Sequence, residues 1–115
     1  MEFQVKTSEE ENIILIRVQG DVDMLTSPDL RDSLVPFFKP GTRGIVVDLS
    51  GVTFMDSSGI ATLVEGLQWS RKQERKFVLA SPGQTVMNAL SLTKLDKIFT
   101  IKKDSQKAFQ EIHQG

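Results

Sequence analysis

Three short oxygen-bearing side chains stand together at Asp56, Ser57 and Ser58, followed at once by Gly59. Residues of this kind suit the first turn of a helix, where backbone N–H groups lack partners and about half a positive charge accumulates. A short side-chain oxygen accepts those N–H bonds, and all three residues are good caps. The same geometry stabilises an added phosphate. A phosphate on one of the serines would bring about −1.5 to −2 charge close to Asp56, held by the helix yet repelling an acidic partner. Residue types alone leave two readings open: plain capping, the commoner role of Ser at such a place, and a hydroxyl that takes phosphate.

The surrounding stretch, Gly44 to Gly66, must position this cluster. Ile45, Val46 and Val47 form a β-branched apolar run closed by Asp48 and Leu49, as expected of a strand covered on both faces. A turn is expected at Ser50-Gly51, then a short apolar piece from Val52 to Met55. After the polar cluster, Ile60, Leu63, Val64 and Leu67 recur at helical spacing. A buried strand thus delivers the chain to a polar helix start.

The rest of the chain repeats this alternation. Met1 to Lys6 reads as a short strand, Thr7 to Asn12 as a polar acidic turn, and Ile13 to Val18 as a second strand, hairpin-paired with the first. Gly20-Asp21-Val22-Asp23 breaks the pattern. Ser27-Pro28 supplies an N-cap and a proline at the first helical position, with Leu30, Leu34, Phe37 and Phe38 as the apolar face and Pro36 near the end. Arg71 to Lys76 is a charged connection to a strand at Phe77 to Ala80. Ser81-Pro82 opens a third helix carrying Val86, Met87 and Leu90. Ile98 to Ile101 is the last strand, and Asp104 or Ser105 caps a final helix with Ala108, Phe109 and Ile112. Alternation with short connections predicts an α/β fold with a mostly parallel central sheet of four to five strands and about four helices packed on it.

Composition narrows the function classes. The chain has 115 residues, 39% hydrophobic and 25% charged, which suits one globular domain spanning 1–115. Its net charge is −1, with acidic and basic residues intermixed, so no footprint for nucleic acid is expected. No cysteine is present, which removes disulfides, thiol catalysis and thiolate metal sites. No apolar run reaches membrane-spanning length and no signal core opens the chain, so a soluble, cytoplasmic protein is expected. His113, the one histidine, sits in the final helix without a cluster of ligands, and a surface role is expected. No glycine-rich phosphate loop occurs, and Ser57 would have only His113 as a base, so an independent enzyme is not expected. Asp21, Asp23, Asp48 and Asp56 allow an acyl-phosphate pocket as a minor alternative beside turn and cap chemistry. Trp69 falls opposite Ile60 and Leu63, either packed under a neighbouring element or at an interface. Gly66, costly in mid-helix, suggests a close approach or plain tolerance.

The segment Asp48-Leu49-Ser50 … Phe54-Met55-Asp56-Ser57-Ser58-Gly59-Ile60 resembles the signature of STAS domains, and bacterial anti-sigma-factor antagonists in particular. Gly20-Asp21-Val22-Asp23 is similar to a turn of that family, and Leu90 to Phe99 to its C-terminal helix-to-strand passage. Ala61 stands where the family often has Gly, a change that favours the helix. The resemblance implies a single STAS domain regulated at Ser57, phosphorylated by a partner that is both anti-sigma factor and serine kinase and reset by a serine phosphatase. It implies a contact surface of Asp21, Asp23, Thr26, Met55, Asp56, Ser57, Ser58 and Gly59, with the Asp21–Asp23 turn beside Ser57. It implies no cofactor and no metal, any nucleotide belonging to the kinase, and neither nucleic acid nor membrane as partner. A constitutive STAS interaction subunit of a transporter ATPase or a stress-signalling assembly, without a phosphate cycle, is the alternative.

Overall fold

The computed structural model describes residues 3–37 and 40–114, the side chain of Phe37 excepted. The elements follow in the order β1 (Gln4–Glu10), β2 (Ile13–Val22), α1 (Ser27–Leu34), β3 (Gly44–Met55), α2 (Ser57–Lys72), β4 (Lys76–Ala80), α3 (Gln84–Leu92), β5 (Thr100–Lys102) and α4 (Ser105–Gln114). Short 3₁₀ turns lie at Val35–Phe37 and Leu95–Lys97. The five strands form one sheet in chain order, β1 antiparallel to β2 and every later pair parallel. No helix among the described residues is long and apolar enough to cross a membrane.

Side chains alternate across each strand, so every buried strand feeds two cores. Ile14, Ile16, Ile45, Val47, Phe77 and Leu79 pack against Leu30 and Leu34 of α1, Leu63 and Leu67 of α2, and Val86 and Leu90 of α3. Ile13, Leu15, Val46 and Val78 pack on the opposite face against Ala108 and Ile112 of α4. Burial on both faces explains why these strands read as unbroken apolar runs. It also leaves the carboxyl ends of β2 and β3 as the place where loops meet at the rim of the sheet.

Several boundaries differ from those the sequence suggests, each for a physical reason. The polar run from Thr7 continues β1 to Glu10, because an edge strand keeps its pairing while its side chains face water. Only Glu11 and Asn12 turn, both at positive φ (53° and 65°), the backbone of a tight hairpin. Gly20-Asp21-Val22 stays in β2 and Ser50-Gly51 stays in β3: register shifts at Arg17/Gln19 and Gly20/Asp21 absorb the irregularity, with Gly20 at φ 92°. Arg71 and Lys72 finish α2 rather than linking it to β4.

Both serine-proline pairs lie away from the caps expected of them. Thr26 is the N-cap of α1 and Ser27 is already helical. Gly83 is the N-cap of α3, while Ser81, at φ 55°, donates its hydroxyl to the Lys103 carbonyl and ties the strand end to the chain beyond β5. The last strand is Thr100–Lys102, since the amides of Ile98 and Phe99 both close on the Leu95 carbonyl. Asp104 does cap α4, accepting the Lys107 amide at 2.8 Å. The apolar face of α1 holds at Leu30 and Leu34; Phe38 and the side chain of Phe37 lie outside the described residues.

Trp69 is partly buried against the main core, with the Arg31 guanidinium of α1 5.2 Å from its ring centroid. Arg31 also pairs with Glu65 at 2.8 Å, joining α1 to α2 over the indole. The glycine in mid-helix has a packing reason as well. A Cβ on Gly66 would stand 2.8 Å from Phe77 Cζ, so the ring of β4 occupies the space a side chain would need.

Candidate functional site

Asp56 is the one residue between β3 and α2, and it organises the junction. Its backbone is extended (φ −94°, ψ −171°), and its amide donates to the Val22 carbonyl at 3.0 Å, fastening the helix start to the end of β2. Its Oδ1 accepts the Ser58 amide at 2.9 Å, the Gly59 amide at 3.3 Å and the Ser58 hydroxyl at 2.5 Å. The Ser58 hydroxyl is the main reason the carboxyl is held below the ordinary carboxylate range. Partial desolvation opposes it, and the Gly59, Ser58 and Met24 amides add to it.

This arrangement separates the two serines. Ser58 is half-buried and spends its hydroxyl on Asp56. Ser57 is exposed at the first position of α2, and its hydroxyl makes no hydrogen bond among the described residues. Capping therefore belongs to Asp56, and the Ser57 oxygen is left facing solvent. The amides best placed to cradle an anion are already bonded to Asp56, so a phosphate on Ser57 would project outward beside a carboxylate.

The neighbouring β2–α1 loop is built from the other candidate residues. Asp23 Oδ1 accepts the amides of Leu25 at 2.9 Å and Thr26 at 3.2 Å. The half-buried Thr26 hydroxyl donates to the Asp21 carbonyl at 2.8 Å and accepts the Asp23 amide at 2.9 Å. Asp21 is exposed and accepts the Thr53 hydroxyl at 2.6 Å. Asp23 and Thr26 thus shape the loop from within, while Asp21 offers its charge at the surface. The Asp56 amide, bonded to the Val22 carbonyl at 3.0 Å, holds the helix start against the end of β2 from which this loop departs.

Met55 and Gly59 have a different place. Met55 is only 4% exposed and Gly59 is buried, so both lie beneath the surface rather than projecting from it. A Cβ on Gly59 would stand 2.6 Å from Met55 Cγ and 2.8 Å from Val22 Cγ1. The glycine lets the first turn of α2 settle on the ends of β2 and β3.

The structure adds residues that the sequence reading passed over. Met24 (75% exposed) and Leu25 (85%) project from the loop, Phe54 lies opposite Asp21 in the sheet register, and Leu92 (85%) ends α3. A hollow of about 230 Å³, lined by Met55, Ser57, Ile60, Ala89, Leu92 and Thr93, runs from Ser57 to the end of α3. The signal was available: Met24-Leu25 is an apolar pair inside a turn, and Leu92 lies off the Val86–Leu90 face. Exposed apolar side chains gathered beside a free hydroxyl are what a protein-binding surface presents.

Asp48 does not join the group. It shares its side of β3 with Val46, the α4 side, and stands 3.7 Å from Arg17 while accepting the Ser50 amide. An acyl-phosphate pocket built from Asp21, Asp23, Asp48 and Asp56 is therefore not formed. His113 lies at the surface on α4, 3.0 Å from Glu11 and 3.4 Å from Arg43.

The family model for the STAS domain matches residues 4–108. The anti-sigma-B factor antagonist of Staphylococcus aureus (strain NCTC 8325 / PS 47) is 24% identical over 106 residues, covering 92% of this chain and 98% of that protein. Among solved structures, an anti-sigma factor antagonist from Mycobacterium paratuberculosis is similar with a TM-score of 0.84 and 22% identity, covering 97% of this chain and 95% of that one. The Bacillus cell fate determinant SpoIIAA in its phosphorylated form gives a TM-score of 0.73 at 18% identity, covering 96% and 99%. At such identities the structural likenesses speak for the fold. With the family match running from β1 into α4, this chain belongs to the STAS domain family.

Proposed function

We propose that the chain is an anti-sigma-factor antagonist that works as a phosphate-controlled partner switch. The observation that carries this reading is the exposed Ser57 hydroxyl, free of internal bonds at the start of α2 because Asp56 has taken over the cap. Unphosphorylated, the surface around Ser57 binds an anti-sigma factor that is also a serine kinase, and so frees the target that factor holds. Phosphate on Ser57 takes the formal charge from −1 to about −3 and sets bulk and charge at the contact. With the neighbouring amides committed to Asp56, that charge meets the partner largely uncompensated, and a like charge desolvated in an interface costs several kcal/mol. A serine phosphatase resets the switch. The relatives named for antagonism of anti-sigma factors, and SpoIIAA in its phosphorylated form, support the assignment. In this reading the chain binds and is modified but catalyses nothing, and it works in the cytoplasm.

The test is intact-protein and phosphopeptide mass spectrometry on the chain from its native cells, beside a Ser57→Ala variant. Phosphate mapped to Ser57 and missing from the variant supports the switch. Fractionating those cells for the activity that transfers phosphate from ATP to Ser57 then identifies the kinase. Absence of phosphate under every growth condition, with a partner still bound by Ser57→Asp, leaves a constitutive docking subunit instead.

A further inference from the structure

The charges of this chain are nearly balanced in total but divided along its length. Residues 1–70 hold five Lys and Arg against eleven Asp and Glu, and residues 71–115 hold nine against four. Because the sheet runs from β1 to β5 in chain order, a division along the sequence becomes a division in space. Acidic residues gather on the side of β1, β2 and α1. The cations of the second half lie at the end of α2 and the start of β4, on the turn after α3, and about β5 and α4, α3 itself carrying none. β3, the central strand, lies on the border, and Ser57 stands just beyond its carboxyl end.

The same polarity is present at the site itself. On one flank are the carboxylates of Asp21, at the end of β2, and Asp23, in the β2–α1 loop. On the other, Thr93 and Leu92 line the hollow beside Ser57, and the next residue is Lys94, exposed at a left-handed turn (φ 61°), with Lys97 close behind. Neither lysine has an ion-pair partner among the described residues. Between the two flanks lie the mostly apolar hollow and the exposed Leu92.

Resting on the reading that an anti-sigma factor docks over Ser57, we infer that this partner presents a polarised face. Its cations lie opposite Asp21 and Asp23, an apolar side chain enters the hollow, and its carboxylates lie opposite Lys94 and Lys97. Complementary potentials steer encounter and fix orientation, so one turned-about docking pose is repelled at both flanks. A polyanion or a uniformly basic surface meets one favourable flank and one hostile one, which makes the surface selective for a bipolar protein.

The experiment uses the purified anti-sigma factor kinase that phosphorylates Ser57, with association followed by stopped flow at low and high salt. A Lys94→Glu, Lys97→Glu double variant is expected to associate about tenfold more slowly at low salt, the difference fading as salt screens it. Its urea midpoint should match the wild type, both lysines being exposed and unpaired. A Lys103→Glu, Lys107→Glu control makes the same charge change beside α4 and should slow association far less. Association rates equal to the wild type in the first variant, or an equal slowing in the control, overturn the inference while Ser57→Asp still blocks binding. If Ser57→Asp binds as the wild type does, the switch reading itself fails, and this one with it.

Discussion

α1 and α2 both begin at the carboxyl end of a parallel strand, and both carry a serine at their first helical position, yet the two serines differ. Ser27 is buried at 7% exposure and its amide is drawn back to the Asp23 carbonyl at 2.8 Å. The cap residue there, Thr26, turns its hydroxyl toward the loop rather than into the helix. At α2 the residue ahead of the serine is an aspartate in extended conformation, and its carboxylate takes the helix amides directly. A carboxylate one residue earlier thus frees a serine from structural duty. It is Asp56, by taking the cap, that leaves the Ser57 hydroxyl exposed and unbonded at the second helix start.

Gly59 permits the close seating of that helix start, and its replacement has the largest expected effect on stability. Gly59→Ala forces Met55 or Val22 aside and should cost about 1–3 kcal/mol, read as a lowered urea midpoint with an unchanged slope. Gly83→Ala, at the start of α3, meets nothing within 4 Å and should stay within about 0.5 kcal/mol of the wild type.

Next comes the pH dependence that Asp56 contributes. Its carboxyl titrates below the ordinary value of 3.8 in the fold, so the stabilisation is complete above the unfolded value and is lost as pH falls through the folded one. Asp56→Asn should lower the urea midpoint at neutral pH and flatten the part of the acid transition below about pH 4. Glu111, held low by Lys102 and Lys76, contributes in the same direction and remains in that variant. An Asp56→Asn chain with an unaltered acid limb would show that the carboxylate does not hold the helix start.

Smaller again is Gly66→Ala. The new methyl crowds the Phe77 ring, but the helix gains roughly 1 kcal/mol from losing its glycine, so the net loss should be about 1 kcal/mol. Ser27→Ala should be smallest, within about 0.5 kcal/mol, because no side-chain cap is lost there. A loss of 2 kcal/mol at Ser27, measured by urea unfolding, would erase the contrast between the two helix starts.

Much of this was legible in the residues. The apolar run at Ile45–Val47 required a doubly covered strand, and Asp56-Ser57-Ser58-Gly59 required a helix start at its end; both are where they were expected. Strand lengths were not legible, because pairing with a neighbour carries β1 through Glu10, β2 through Val22 and β3 through Ser50-Gly51 regardless of side-chain polarity. Ser27-Pro28 and Ser81-Pro82 read as caps from local chemistry, but long-range bonds, such as that of Ser81 to Lys103, claimed their backbone first. The exposed Met24, Leu25 and Leu92 were readable only as out-of-phase apolar residues, since exposure depends on which elements fail to cover them. The charge division is written in the sequence, but it acquires meaning only once the sheet order is known to follow the chain.

If the proposed switch operates, one hydroxyl decides whether the partner binds. Titration calorimetry of the anti-sigma factor against the unphosphorylated chain, and against the same chain stoichiometrically phosphorylated at Ser57, reads this out. Tight binding is expected for the first form and a loss of roughly a hundredfold or more for the second, as several kcal/mol of uncompensated charge requires. Equal affinity for the two forms would rule the switch out.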